Sequence, residues 1–378
     1  MRIGVDIRPF LSRETGVGTY LRHLLFELAR IDRSNEYCLF SSSWKERFPP
    51  EKLPPFARLR FRDLRVPVRV VNFLWYRLSW PPLERYFGGR LDLTHSPTPM
   101  PLPGRSRKIV TVYDLFFLDD PGRSVREARR VFAGNVGASL AAADGILAIS
   151  EFTKRSILER FPVPEEKIAV APLGLDPLFA EDVPVATLDE TRRKHRLPER
   201  FVLFVGAVEK RKNLVNLLEA LARVRRAGEP VDLVLAGREG EASAEVEAAV
   251  ERLGLGPAVR TLGYLPDSEV RDLYRLAKLF VFPSLCEGFG LPLLEAMASG
   301  LPAAVSRTGA LPEVGGDAAA YFEPEDPADI ARVLLELLEN EPRRRELAEK
   351  GKRRASEFSW AETACRTLAF YERTAGAR

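Results

Sequence analysis

The hydrophobic positions of this chain fall into two alternating patterns. Short continuous apolar runs, "RIGVDI" near the start and then "KIVTVYD", "GILAIS", "FVLFVG", "VDLVLAG" and "LFVFPSL", have the length and β-branched content of buried strands. Between such runs the apolar residues recur at helical spacing, as with Val17, Tyr20, Leu21, Leu24, Leu25 and Leu28, and again with Leu214, Leu217, Leu218, Leu221 and Val224. Strands alternating with helices predict parallel sheets covered on both faces. A strand, loop and helix open the chain through the glycine-bearing turn "RETGVGTY", and the same unit returns through "AVEKRKN". The expected fold is α/β, in two doubly wound domains.

Length supports the division, because 378 residues exceed the ceiling of roughly 250–300 for one hydrophobic core. Alternation lapses in the proline-bearing, charged stretch between "VAPLGLDPLF" and "RFVLFVG". The join is placed near residue 175, giving domains 1–175 and 176–358. The last segment, "FSWAETACRTLAFYERT" within 359–378, carries Trp360, Cys365, Leu368 and Tyr371 on a helical pattern. Its composition leaves open which domain it packs on.

With 46% hydrophobic and 29% charged residues the chain has a globular composition, and its apolar runs are too short to span a bilayer. "MRIGVDIRPF" lacks the features of a signal peptide, so a cytoplasmic protein is expected. Cys38, Cys286 and Cys365 fit neither a disulfide framework nor a zinc site. The net charge is +4, and in the clusters Arg129-Arg130 and Arg343-Arg344-Arg345 interspersed acids favour a solvated helix face over a binding patch. A nucleic-acid partner is not indicated; an anionic small substrate is not excluded. In "VPVRVVNFLWYRLSWPPLERYF", Val68, Val71, Leu74, Trp75 and Leu78 are mixed with arginines. Residues 68–87 read either as a helix packed on its own sheet, which the need to cover that sheet favours, or as a peripheral contact with an anionic membrane.

Candidate chemistry gathers at loops that leave strands and enter helices, where ligands bind in open α/β sheets and phosphate meets free N–H groups. Gly16-Val17-Gly18 lacks the third glycine of a dinucleotide fingerprint, and the glycines alone are also explained by a tight turn. After Gly206, the second loop brings Lys210, Arg211 and Lys212 to a helix start, against the helix dipole. A bound diphosphate offsets that cost; three solvated charges are the other reading. In "SLCEGFGLPLLEAMASG", Glu287 follows a buried strand, Gly288 and Gly290 allow close backbone approach, and Pro292 suits the first turn of a helix ended near Gly300. Glu295, about one turn inside, is placed to accept hydrogen bonds from paired hydroxyls, with Glu287 facing the reacting end of the same ligand. A helix cap plus a surface glutamate is the alternative.

These residues resemble a known family. "CEGFGLPLLEAMASGLPAAVSRTGALPEVGGDAA" is similar to the donor-site signature of the retaining GT-B-fold glycosyltransferases of family 4, with its two glutamates separated by seven residues. "VGAVEKRKNLVNLLEAL" is similar to the family's phosphate loop, and "LAISEFTKRSILERFPVPEEKIAVAPLGLD" to its interdomain stretch. The resemblance implies two Rossmann-like domains facing across a cleft, with the final helix crossing back to the N-terminal one. It also implies a nucleotide diphosphate sugar donor (GDP-, UDP- or ADP-linked) on the C-terminal domain, and a glycan or lipid-linked acceptor on the N-terminal domain. By the same resemblance Arg211 and Lys212 hold the diphosphate, Glu295 the ribose, and Glu287 with the Phe289–Leu291 backbone the sugar. A role in polysaccharide or glycolipid assembly is a family-level expectation.

Fixed cations aimed at a leaving diphosphate stabilise its charge without a metal. The chain has no Asp-x-Asp pattern, so neither metal nor cofactor is expected. Where many family members carry His-Asp after the strand equivalent to "KIVTV", this chain has Tyr113-Asp114. Tyrosine, with a pKa of about 10, is a poor base at neutral pH. His95, in "LDLTHSPTP", is a further candidate for lining the acceptor site. Three activities fit: a retaining hexosyl transferase, favoured by the Arg211, Lys212, Glu287 and Glu295 set; a GT-B epimerase or phosphorylase; and a non-catalytic sugar-nucleotide-binding partner.

Overall fold

The computed structural model describes residues 1–11, 16–119 and 134–376. The chain forms two compact units, one of Met1–Leu115, Glu127–Gly174 and Ser359–Arg378, the other of Phe116–Arg126 and Leu175–Phe358.

The first unit is built on β1 (Arg2–Asp6), β2 (Glu36–Ser42), β3 (Leu59–Leu64), β4 (Leu93–Ser96), β5 (Arg107–Val112), β6 (Gly145–Ala148) and β7 (Ile168–Val170). These strands are parallel, in the order β3-β2-β1-β4-β5-β6-β7. Helix α1 (Gly16–Ile31) buries Tyr20, Leu21, Leu24, Leu25 and Leu28, which is the stripe its spacing predicts. Helix α2 (Val68–Leu78) turns Val71 and Trp75 into a cluster with Cys38, Phe40, Leu83 and Leu91, so one of its faces does cover the sheet. In α3 (Glu151–Arg160) the cap is Ser150, whose side chain accepts from the Thr153 N–H at 3.0 Å.

The second unit repeats the plan with β8 (Phe201–Val205), β9 (Asp232–Ala236), β10 (Val259–Gly263), β11 (Leu279–Phe282), β12 (Ala303–Ser306) and β13 (Ala319–Phe322), parallel in the order β10-β9-β8-β11-β12-β13. Helix α4 (Leu214–Arg226) buries Leu214, Leu217, Leu218, Leu221 and Val224. Helices α5 (Asp267–Leu276) and α6 (Leu291–Ala298) flank the same sheet.

The last helix, α7 (Trp360–Gly376), belongs to the first unit and resolves the question its composition left open. Trp360 stacks on His23 with ring centroids 4.8 Å apart, and Thr363 donates to the Pro172 carbonyl at 2.6 Å.

Of the two arginine clusters, Arg129-Arg130 lies outside the described residues. In the other, Arg343 and Arg345 pair with Glu346 and Glu341 on the surface, but Arg344 is buried and donates to the Leu337 and Leu338 carbonyls. It satisfies orphan carbonyls at the end of the preceding helix, a role that a solvated-face reading of three adjacent arginines does not anticipate. Among the described residues no helix is long and apolar enough to cross a membrane.

Candidate active site

In the second sheet, strand order reverses at β8 and β11, and such a reversal opens a crevice beyond the strand C-termini. The two loops entering it are joined by backbone, with the Leu285 N–H donating to the Arg211 carbonyl at 2.9 Å. Lys210–Lys212 form a single 3-10 turn, and Asn213, at φ 59°, leads into α4. The Asn213 side chain donates to the carbonyls of Pro283 (3.2 Å) and Pro324 (2.6 Å), which ties this turn to the end of β11.

The residues picked out from sequence meet here, 75 and 76 positions apart. Arg211 Nη1 donates to Glu287 Oε2 at 2.7 Å and to the Cys286 carbonyl at 2.8 Å. Lys212 Nζ reaches Glu287 Oε1 at 2.6 Å and lies 4.8 Å from the centroid of the Phe282 ring. Glu209 adds a second carboxylate, 3.7 Å from Arg211 and 3.3 Å from Arg238. Among the described residues the three cations of this cluster outnumber its two carboxylates by one. The cost of placing Arg211 and Lys212 before a helix start is therefore offset inside the chain by Glu287, while Lys210 pairs separately with Glu245 at 2.7 Å.

Burial sets the electrostatics. It opposes ionisation of Glu287, but the charges of Arg211 and Lys212 outweigh it and hold this carboxyl down at about 2. Lys212 is drawn below its ordinary value, first by burial and then by the charge of Arg211. Glu295 behaves oppositely. Part of its residue surface is open, yet the carboxyl is enclosed by protein, and burial followed by the charges of Asp267 and Asp176 pushes it up to about 8, against a 3.1 Å hydrogen bond donated by Tyr274.

The glycines frame these groups. Gly206 follows β8 and donates to the Ala236 carbonyl at 2.9 Å; Gly288 lies between Glu287 and the buried Phe289, whose ring meets Phe358 edge-on. Gly290 takes φ 110°, and a Cβ there would lie 2.6 Å from Leu311 Cδ2, so packing within the unit also demands glycine. Leu291 then opens α6, whose fifth residue is Glu295. Gly309, at φ 65°, was given no role in the sequence reading. A Cβ there would lie 2.6 Å from the Glu287 carbonyl oxygen and 2.7 Å from its nitrogen, while the next N–H, of Ala310, donates to that carbonyl at 2.8 Å. Glu209 and Tyr274 were missed as well; Glu209 stood inside the quoted loop, but only the folded chain shows that it braces Arg211.

The N-terminal candidates form no comparable cluster. Gly16 is the exposed first residue of α1 and Gly18 is buried in its first turn; the other residues of the loop, 12–15, lie outside the described residues. Tyr113 follows β5 with its ring edge-on to Tyr20 at 5.6 Å, and its hydroxyl is out of water with no hydrogen-bond partner among the described residues. Burial, with Tyr20 beside it, raises this phenol well above its ordinary value, which makes it a still poorer base. Asp114 is half-buried beside it. The expectation that His95 lines an acceptor site is corrected: its side chain is fully buried, with Nδ1 2.6 Å from Tyr371 Oη and Nε2 2.7 Å from Thr111 Oγ1. Burial lowers its pKa to about 3, so it is a neutral core histidine that helps hold α7. Among the described residues no group of three or more His, Cys, Asp or Glu is placed to hold a metal ion.

Comparison with known proteins agrees with this fold. Residues 188–354 match the model of the glycosyl transferases group 1 family, and residues 15–178 match that of glycosyltransferase family 4. O-antigen chain mannosyltransferase B of Escherichia coli is 29% identical over 384 residues, covering 98% of this chain and all of the relative. The sucrose-phosphate synthase of Thermosynechococcus elongatus superposes with a TM-score of 0.77 at 21% identity, over 99% of this chain and 98% of its own. HepE of Anabaena, solved with UDP and glucose, gives 0.74 at 17%, over 99% of this chain and all of its own. With both family models matched in succession and the fold shared throughout, the chain belongs to the GT-B-fold glycosyltransferases of group 1.

Proposed function

We propose that this enzyme transfers a hexosyl unit of mannose or glucose type, with retention of configuration and without a metal, from a nucleoside diphosphate sugar to a glycan, lipid-linked or small-molecule acceptor. The observation that carries the reading is the Arg211–Glu287–Lys212 cluster at the reversal of the second sheet, where half-buried Arg211 and buried Lys212 share one carboxylate and, among the described residues, cations outnumber carboxylates by one. Support for the sugar comes from the mannosyltransferase relative, and for the nucleotide from the neighbour solved with UDP and glucose.

In this reading Arg211 and Lys212 bind the diphosphate, Glu295 accepts from the ribose hydroxyls, and Glu287 with the backbone of Phe289, Gly290 and Leu291 orients the sugar. The first unit, with Gly16, Gly18, Tyr113 and Asp114, supplies the acceptor side. The C1–O bond to the β-phosphate breaks as the acceptor oxygen attacks the same face, and its proton passes to a β-phosphate oxygen. Cations fixed before the reaction stabilise the charge that develops on the leaving group.

The test incubates the protein with GDP-mannose, UDP-glucose and ADP-glucose and a panel of mannosides, glucosides and polyprenyl diphosphate sugars, in EDTA, and reads the new anomeric signal by NMR. An α-linked product from an α-donor in EDTA supports the proposal. An inverted linkage, activity only after Mg2+ or Mn2+ is restored, or donor isomerisation in place of transfer refutes it.

A further inference from the structure

Helix α2 uses one face to cover the first sheet and leaves the other in water. Among the described residues nine large apolar side chains are exposed, and five of them, Val68, Val70, Phe73, Leu78 and Trp80, fall in one short stretch around this helix. Phe73 is 58% and Trp80 52% exposed. Val70, Phe73 and Arg77 follow helical spacing on the side away from Val71 and Trp75, and Arg69 flanks them. Trp44 is a sixth member: it follows β2, and the guanidinium of Arg65, just after β3, lies 5.4 Å from the centroid of its ring. The Arg85 guanidinium likewise lies 5.6 Å from the centroid of the Trp80 ring.

The charges interleaved with these side chains have one sign. Arg65, Arg69, Arg77 and Arg85 are all exposed, and α2 contains no acidic residue. Nearby acids are engaged elsewhere: one oxygen of Glu84 accepts the N–H groups of Arg105 (2.8 Å) and Ser106 (3.1 Å), and Asp63 pairs with Arg47 at 2.9 Å. Glu46, two residues beyond Trp44, is the exposed exception.

We propose that the outer face of α2, with Trp44 and Trp80, docks the protein on an anionic lipid surface. Protruding aromatic side chains enter the interfacial layer of a bilayer, while arginines between them meet lipid phosphates. A second copy fits less well, because a self-complementary interface sets four arginines against the same four. The proposal does not depend on the sugar-transfer reading, since it concerns a different unit and is measured without donor.

Cosedimentation of the full-length protein with vesicles of phosphatidylglycerol and phosphatidylcholine, or of phosphatidylcholine alone, tests it. Binding to the anionic vesicles is expected, at least tenfold tighter than to neutral ones and weakened by 0.5 M salt. Phe73→Ser and Trp80→Ser should each lower partition about fivefold to tenfold. Arg69→Gln with Arg77→Gln should lower it by at least tenfold and flatten its salt dependence. Val185→Ser and Tyr264→Ser, at exposed apolar sites of the second unit, serve as controls and should bind as wild type. Unchanged melting temperatures will show that the variants fold. No binding to anionic vesicles at low salt overturns the proposal, as does wild-type binding by both Phe73→Ser and Trp80→Ser. A dimer that Phe73→Ser abolishes, in a protein that ignores vesicles, assigns the face to a second copy and overturns it too.

Discussion

Replacing Glu287 with glutamine tests whether the cation pair is poised for a diphosphate. In wild type the two carboxylate oxygens each satisfy one cation, half-buried Arg211 at 2.7 Å and buried Lys212 at 2.6 Å. Glutamine keeps the shape but offers one acceptor oxygen, and turns an N–H2 group toward the other cation. The carboxyl's fall from 4.5 to about 2 corresponds to about 3 kcal/mol in favour of its ionised form. Removing one member of a buried pair independently suggests about 3–5 kcal/mol. At about 2–4 °C per kcal/mol, Glu287→Gln should melt about 6–12 °C below wild type. Adding UDP, GDP or ADP should then reverse the ranking of effects, since a diphosphate supplies the charge that the amide lacks. The nucleotide that stabilises wild type should raise the melting point of the variant further than that of wild type. Calorimetry of both proteins, free and at saturating nucleotide without sugar, reads this directly. A variant melting within 2 °C of wild type, or one that the nucleotide stabilises less than wild type, would show that Glu287 does not hold the two cations in place of a diphosphate.

Other expectations follow from the same geometry. Gly309→Ala places a methyl group on the Glu287 backbone at a left-handed φ, so it should cost about 2 kcal/mol or more and weaken donor binding, measured by melting and by titration with the nucleotide sugar. Arg211→Ala should lower kcat about 100-fold or more, because it removes a charge aimed at the leaving group; a tenfold loss or less argues against that role. Glu295 has the opposite pH linkage to Glu287. Between about 4.5 and about 8 the folded protein keeps a proton on Glu295 that the unfolded chain has released, so stability falls as pH rises through this window, and Glu295→Gln should flatten that slope. Glu287, held near 2, contributes stability above about 4.5 that is lost as pH falls toward about 2, and Glu287→Gln should remove that acid-side loss.

The parts of the molecule legible in sequence are those governed by local periodicity. The stripe of α1, the stripe of α4 and the short apolar runs appear as helices and parallel strands because burial on a sheet imposes a 3.6-residue or continuous pattern on neighbouring residues. Glu287 and Glu295 were legible through the glycines and proline around them. The pairing of Glu287 with Arg211 and Lys212 was not, because Arg211 and Glu287 are 76 positions apart and each taken alone reads as a loop charge. His95 misled for a related reason. A histidine ending a strand marks a crevice as readily as it marks the core, and Tyr371, which binds its Nδ1, arrives from α7, 276 positions away. Arg344 was hidden in a run of arginines whose neighbours do face water, since the end of the preceding helix needs one donor and not three. For α2 the reading of a helix packed on its own sheet describes the face of Val71 and Trp75, while Val70 and Phe73 stay exposed on the other.

Whether the second unit binds a diphosphate through the cations beside Glu287 is read by isothermal titration of wild type and Lys212→Met with the nucleoside diphosphate that stabilises the protein and with the matching nucleoside. The variant should lose at least 30-fold in diphosphate affinity, with nucleoside affinity unchanged. Equal diphosphate affinity in the two proteins would contradict binding through these cations.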